Sequence, residues 1–401
     1  MVRFLLIIVV VCCFVFSCGG ENTYEPGTAV VGSPKEKNLK PSKKPPNADY
    51  DFSIQDRTTV IDNYLLALEQ SFVALGSDQY RYKYSQPIAA ELIQGQVRSY
   101  FISLLEHVEN KSKIAFLMPA KPTKDSYCTL YIEALDMTAL YDCSDNTMIE
   151  TENGYAIDAQ ALSVDKPEKI HDASLPDIKV HISDYDAITL LGTTELSIEE
   201  TELNELHIKT NNPFQALPEL FLLEETSLSA TTFIQLKEIL DQQAMKGDIN
   251  KTLVFDTAIG GSIDDQINMY TGLLIRESGL NTRIAMSGSV ESGGTDLFSA
   301  GLRRELVLDS EPMDIAQAKK IGVHAWSDTD PKTGKEISAN NIPYSNKLHR
   351  AQATYFKKVL GDKGIPFYLY TLEAATPDGM HYMNRQEIDK YHLVTDYIRA
   401  F

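Results

Sequence analysis

From residue 58 to residue 77 the apolar positions Ile61, Leu65, Leu68, Phe72 and Leu75 recur at helical spacing, and residues 88–108 behave the same way. The pattern predicts two helices. Next come Thr129-Leu130-Tyr131-Ile132 and Ala139-Leu140-Tyr141, runs of strand formers that suit a hairpin. Acidic, turn-rich sequence follows to Pro213, with apolar islands at 181–183, 188–191 and 206–208. After Pro218 the texture alternates. Short apolar runs at 220–223, 252–256, 282–286, 305–308 and 321–326 read as strands, and residues 231–244, 263–278 and 295–300 read as helices between them. A further helix over 384–391 carries its own cap. Alternation of this kind predicts a parallel sheet.

The first segment changes the compartment. Met1-Val2-Arg3 precedes a run without charge from Phe4 to Phe16, too short for a spanning helix and suited to an export signal. It ends Ser17-Cys18-Gly19-Gly20, which resembles the bacterial lipobox, in which Cys18 is lipidated and becomes the first mature residue. Gly27, Gly32, several prolines and the basic cluster at 35–44 then form a stretch too poor in apolar surface to fold, hence a tether. The expected plan is a signal peptide at 1–17, a tether at 18–57, an α+β domain at 58–215 and an α/β domain at 216–401. A periplasm-facing lipoprotein of the outer membrane is expected, held to the membrane by its N-terminal lipid.

Composition agrees with a folded chain of about two domains: 401 residues, 43% hydrophobic and 23% charged. The net charge of -19 would repel a phosphate backbone, so no nucleic-acid partner is expected. Of five cysteines, Cys12 and Cys13 leave with the signal and Cys18 takes lipid. Cys128 and Cys143 remain, and in an oxidising compartment they should form one disulfide across the hairpin. They have too few ligand-type neighbours for a metal site, and His107, His171, His181 and His207 are scattered. No metal or cofactor is expected.

The chemistry gathers after Pro218. Strand 252–256 runs into Thr257-Ala258-Ile259-Gly260-Gly261-Ser262, and strand 282–286 into Ser287-Gly288-Ser289-Val290-Glu291-Ser292-Gly293-Gly294. A serine at a strand-to-helix turn can project its hydroxyl with the next N–H free beside it. Ile321-Gly322-Val323-His324 places a histidine in a further strand, and Ala300-Gly301-Leu302-Arg303-Arg304 follows the serine turn.

Together these elements resemble the crotonase-type fold of the Clp peptidase and its exported bacterial relatives, over residues 220–397. Gly261 precedes Ser292 by 31 residues and Ser292 precedes Gly301 by nine, separations similar to the family's. The resemblance implies Ser292 as nucleophile, His324 as base, and the Gly261 and Gly293 amides as an oxyanion hole. The third member would be Asp378, about two positions off the family's acid, with His381 or a backbone carbonyl as alternatives. Two departures stand out: Thr257-Ala258-Ile259 replaces the usual Asn-Ser-Pro, and 32 residues separate Ser292 from His324, as an inserted loop around 312–319 would produce. Ser287 and Ser289 are rival nucleophiles. The expected activity is a serine peptidase or related acyl hydrolase acting on a peptide or protein of the envelope. A non-catalytic scaffold for envelope partners is the alternative, with acyl-CoA chemistry third. Oligomeric state stays open, a homo-oligomer included.

Overall fold

The computed structural model describes residues 44–93, 96–163, 171–200, 205–243, 250–309, 314–329 and 333–399. The expected signal segment, Cys18 and most of the tether lie outside the described residues.

Helix Ile54–Gln70 stops short of the predicted end at 77, because Phe72–Leu75 is a strand paired with Ile178–Ile182. The predicted helix over 88–108 is replaced by two long antiparallel strands, Asp78–Ile93 and Gln96–His107. The reason is visible in the burial. Phe101 and Leu105 face one hydrophobic core, while Tyr100, Ile102 and Leu104 face another beneath Phe214, Phe221 and Leu223. A strand covered on both faces loses the alternation that distinguishes it from a helix. The covering segment is a single helical turn, Glu219–Phe221, where a strand over 220–223 was expected.

Ten strands between Phe72 and Ile182 form one antiparallel sheet. Strand Tyr155–Ala159 pairs with Ile178–Ile182, and Ala161–Leu162, immediately after it, pairs with Met137–Asp142. One stretch of chain therefore joins both ends of the sheet, which curls closed around its core. The expected hairpin is present as Tyr127–Ile132 and Met137–Asp142, and a Cys128–Cys143 disulfide with Cα atoms 5.5 Å apart ties it.

The rest of the described chain is mixed α/β and repeats a strand, strand, helix unit. The first strands of the units, Glu205–Asn211, Asn250–Phe255, Asn281–Ile284 and Arg304–Leu308, run parallel in a six-stranded sheet. Glu195–Glu200 flanks that sheet on one side and Asp396–Arg399 on the other. The second strands, Thr226–Leu228, Ala258–Ser262, Ser289–Glu291 and Ile321–Val323, form a smaller parallel sheet, which His381–Tyr382 joins antiparallel. Helices Ala230–Gln243, Asp265–Glu277 and Gly293–Ser299 close the first three units. The larger sheet thus reaches back to residue 195, ahead of the boundary expected at 216.

Two clamps hold this part together. The buried Arg304 guanidinium donates to the carbonyls of Gly301, His392 and Leu393, fastening the C-terminal segment. Lys320 Nζ donates to the carbonyls of Ala285, Met286 and Gly288, fixing the approach to strand Ser289–Glu291. Burial without a counter-charge lowers the pKa of both cations, Arg304 to about 10.

Candidate active site

Strand Ser289–Glu291 ends at Ser292, whose backbone takes φ 50° and ψ −121° before helix Gly293–Ser299 begins. A residue with a side chain in that region costs about 1–3 kcal/mol and persists only where its surroundings impose it. The surroundings are short. The Ser292 N–H donates to the Gly322 carbonyl, and Thr295 Oγ1 donates to the same oxygen, so the turn is pinned to the neighbouring strand. A methyl group on Gly293 would collide with Ser262 Oγ, and one on Gly261 would lie 3.3 Å from Ser292 Cβ. Gly261 also has φ 144°, and pairing with strand Thr226–Leu228 steps from Ile259 to Gly261, so Gly260 bulges out. Glycine is needed at both places for backbone to approach this closely. The first N–H groups of a helix have no acceptor within it, and that of Gly293 is one of them.

His324 lies just past strand Ile321–Val323, and its ring lines the same narrow cleft as the Ser292 side chain. The cleft holds about 40 Å³, room for a few waters. No direct hydrogen bond joins the serine to the histidine. Such contacts are commonly long in free enzymes and tighten around substrate. Burial lowers the His324 pKa below its ordinary value, partly offset by the Ala325 and Pro377 backbones and by the charge of Asp378. Nδ1 is buried and has no partner in hydrogen-bond geometry among the described residues, so those backbone groups act as neighbours rather than as formed bonds. Asp378 is exposed and reaches His324 only through its charge. His381, the alternative, is engaged with Glu387 at 3.0 Å, inside the box that caps helix Arg385–Tyr391. Ser287 donates to Asp256, Ser289 sits within its strand, and neither lines the cleft.

Two carboxylates that the sequence reading passed over share the cleft. Asp265 begins helix Asp265–Glu277 and accepts from Ser262 Oγ at 3.0 Å. Asp296 sits in the first turn after Ser292, and no side-chain bond to its carboxylate is made by a described residue. Protein surrounds Asp265, yet its side chain opens to solvent through the cleft, so its surroundings are a concave wall rather than a sealed core. Desolvation raises its pKa to about 6 and pushes that of Asp296 well above the carboxylate range, with Asp265 adding to the second shift. Each acid stands in the first turn of a helix, an ordinary place for an acid, so the sequence carries no signal that the two share a cleft.

Aromatic residues also line the cleft. Trp326 Nε1 donates to Tyr368 Oη, which bonds His349 Nδ1 at 2.6 Å, and His349 Nε2 meets the Ala339 carbonyl at 3.0 Å. With Nε2 donating to that carbonyl, Nδ1 is the acceptor and Tyr368 the donor. His107, His171 and His207 lie beside Asp78, Asp177 and Glu205 respectively, away from this cleft, and the His181 ring lies against Phe72. Among the described residues no group of His, Cys, Asp and Glu side chains could hold a metal ion, and no helix is long and apolar enough to cross a membrane.

No family model matches the sequence, and no curated protein does. Several solved structures are similar in part. An enoyl-CoA hydratase from Bacillus anthracis overlaps 51% of this chain and 70% of its own, at 15% identity and a TM-score of 0.31. One from Thermoplasma volcanium overlaps 52% and 72%, at 13% and 0.30. The 1510-N membrane-bound stomatin-specific protease, in a mutant form, overlaps 42% and 74%, at 14% and 0.30.

Proposed function

We propose that the chain is a serine hydrolase of the crotonase fold, related to the Clp peptidase, with Ser292 as nucleophile and His324 as base. The observation that carries this reading is the Ser292 turn. A serine is held at positive φ between a strand and a helix, against Gly261, with its side chain in the cleft that His324 lines. In the reaction Ser292 Oγ attacks an acyl carbon while His324 takes the hydroxyl proton. The Gly261 and Gly293 amides stabilise the oxyanion, and the imidazolium then protonates the leaving group. Water, activated by the neutral ring, completes hydrolysis. Asp378 supports the imidazolium by charge.

The substrate in this reading is a peptide or protein of the bacterial envelope, reached by an enzyme tethered through lipid on Cys18. Fractionation of cells carrying Cys18→Ala tests the tether: the variant should leave the membrane, and equal retention of a parent without lipid contradicts it. For the active site, a fluorophosphonate probe should label the protein, and Ser292→Ala should abolish labelling. His324→Ala should lose about as much as Ser292→Ala, and the double variant little more, because groups acting as one unit are not additive. Unchanged labelling of Ser292→Ala overturns the assignment.

One feature favours a second reading, a binding scaffold without turnover. His324 lacks a hydrogen-bonded acid, which most serine triads use to orient the ring. A protein that neither labels nor hydrolyses esters, yet binds envelope proteins through the same cleft, would establish that alternative.

A further inference from the structure

Charges near the Ser292 cleft are one-sided. Asp265 and Asp296 contribute two carboxylates to its wall, while no lysine or arginine among the described residues lines it. Asp296 projects its carboxylate one helical turn from the nucleophile without a protein partner among the described residues. Asp265 has only the Ser262 hydroxyl, a neutral donor that leaves its charge uncompensated. The same cleft is lined by Trp326, Phe356 and Tyr368, with Gln352 and Thr371 as the neutral polar groups. Two carboxylates and a set of aromatic rings around one small space are the ingredients of a cation site, since rings attract a cation through their faces and carboxylates through charge.

The geometry points to Asp265 and Asp296 as specificity-determining residues that select a cationic side chain, lysyl or arginyl in type, beside the bond cleaved at Ser292. The inference rests on the hydrolase reading for its role and on the cleft alone for its charge preference. An entering ammonium or guanidinium offsets the repulsion between the two carboxylates. An acidic or neutral side chain does not, so selection comes from the penalty on wrong substrates as much as from attraction to the right one. The raised pKa of both acids fits a wall that lacks its counter-ion.

Two measurements on the full chain separate the outcomes. The first is equilibrium binding of n-butylammonium and of n-butanol to the Ser292→Ala variant, which requires no reaction. The cation should bind at least about tenfold more tightly, a difference of about 1.4 kcal/mol. Asp265→Asn/Asp296→Asn should bring the two affinities together. The second is the rate at which Ser292 displaces phenol from diphenyl phosphonates bearing an aminobutyl or an isosteric butyl group. The aminobutyl probe should react about tenfold faster or more, and the ratio should collapse in the double variant while a neutral fluorophosphonate still labels it. Asp296→Asn alone serves if the double variant misfolds, because its carboxylate supports no bond in the fold. Equal affinities in the first measurement, or a preference for the neutral ligand, overturn the cation site. Retained cation binding with no labelling by any phosphorus probe overturns the hydrolase reading and leaves the cation site standing.

Discussion

Ser292 and His324 are held by opposite means, one by backbone conformation and the other by burial, and each yields a measurable consequence. Burial holds His324 neutral to lower pH than an ordinary histidine, whose pKa lies near 6.5. In the proposed reaction the base acts when neutral, so the labelling rate should climb with pH through a midpoint below 6.5. A midpoint above 7 in the Asp265→Asn background, where that carboxyl no longer titrates, would contradict the assignment. Asp265 has the reverse sign. Its pKa is raised to about 6 in the fold against about 3.9 in an unfolded chain, so folding loses stability as pH climbs between those values. Asp265→Asn should therefore raise the melting temperature at pH 8 and change it little at pH 4. The serine was legible in the sequence because a positive-φ turn needs small neighbours, and Gly293-Gly294 supplies them. The carboxylates were not, because an acid in the first turn of a helix is ordinary and only the folded cleft shows that two of them meet.

Among elements, legibility followed length and capping. Helix Asp265–Glu277 was readable because thirteen residues carry apolar positions at helical spacing behind the N-cap Asp264, whose carboxylate accepts from Ile267 N at 2.9 Å, even though residues 267–273 are all buried. The strands at 78–107, covered on both faces, were not. Nor was the doubling of strands in each repeat, since Ala258–Ser262 and Ser289–Glu291 are too short and too rich in small residues to read as anything but turns. The hairpin disulfide, fully buried at both ends, spans a sequence separation of 15. Cys128→Ala/Cys143→Ala should lower the unfolding free energy by about 3 kcal/mol in urea titration, as expected for closing a loop of that size. Gly272 lies where helix Asp265–Glu277 crosses helix Lys347–Leu360, and a methyl there would collide with Tyr355 Oη. Gly272→Ala should cost about 1–3 kcal/mol by overpacking. Adding Tyr355→Phe should recover part of that loss, because the hydroxyl is the nearest atom struck, with ring carbons Cε2 and Cζ behind it, although the bond it donates to the Asp296 carbonyl at 2.7 Å is then forfeited.

At the scale of the whole molecule, one hydrophobic cluster runs from Phe52 through the closed sheet into the repeats. Helix Ile54–Gln70 bridges the two parts: Tyr64 donates to the Asp264 cap at 3.1 Å, and Arg57 pairs with Glu277 at the far end of the same helix. Calorimetry should therefore show one transition, and two well-separated peaks would mean that the sheet and the repeats unfold independently. The curled sheet has a further consequence. An open sheet offers unpaired amides and carbonyls that template the addition of another chain, and curling leaves only the short strands Met148–Glu150 and Ala161–Leu162 outermost. Edges remain in the six-stranded sheet at Glu195–Glu200 and Asp396–Arg399, and both carry charged side chains, Glu195 and Glu199 on one and Asp396 and Arg399 on the other, which discourage pairing with a second copy. Backbone-to-backbone polymerisation would have to begin at those short, charged edges, which leaves self-association chiefly to side chains.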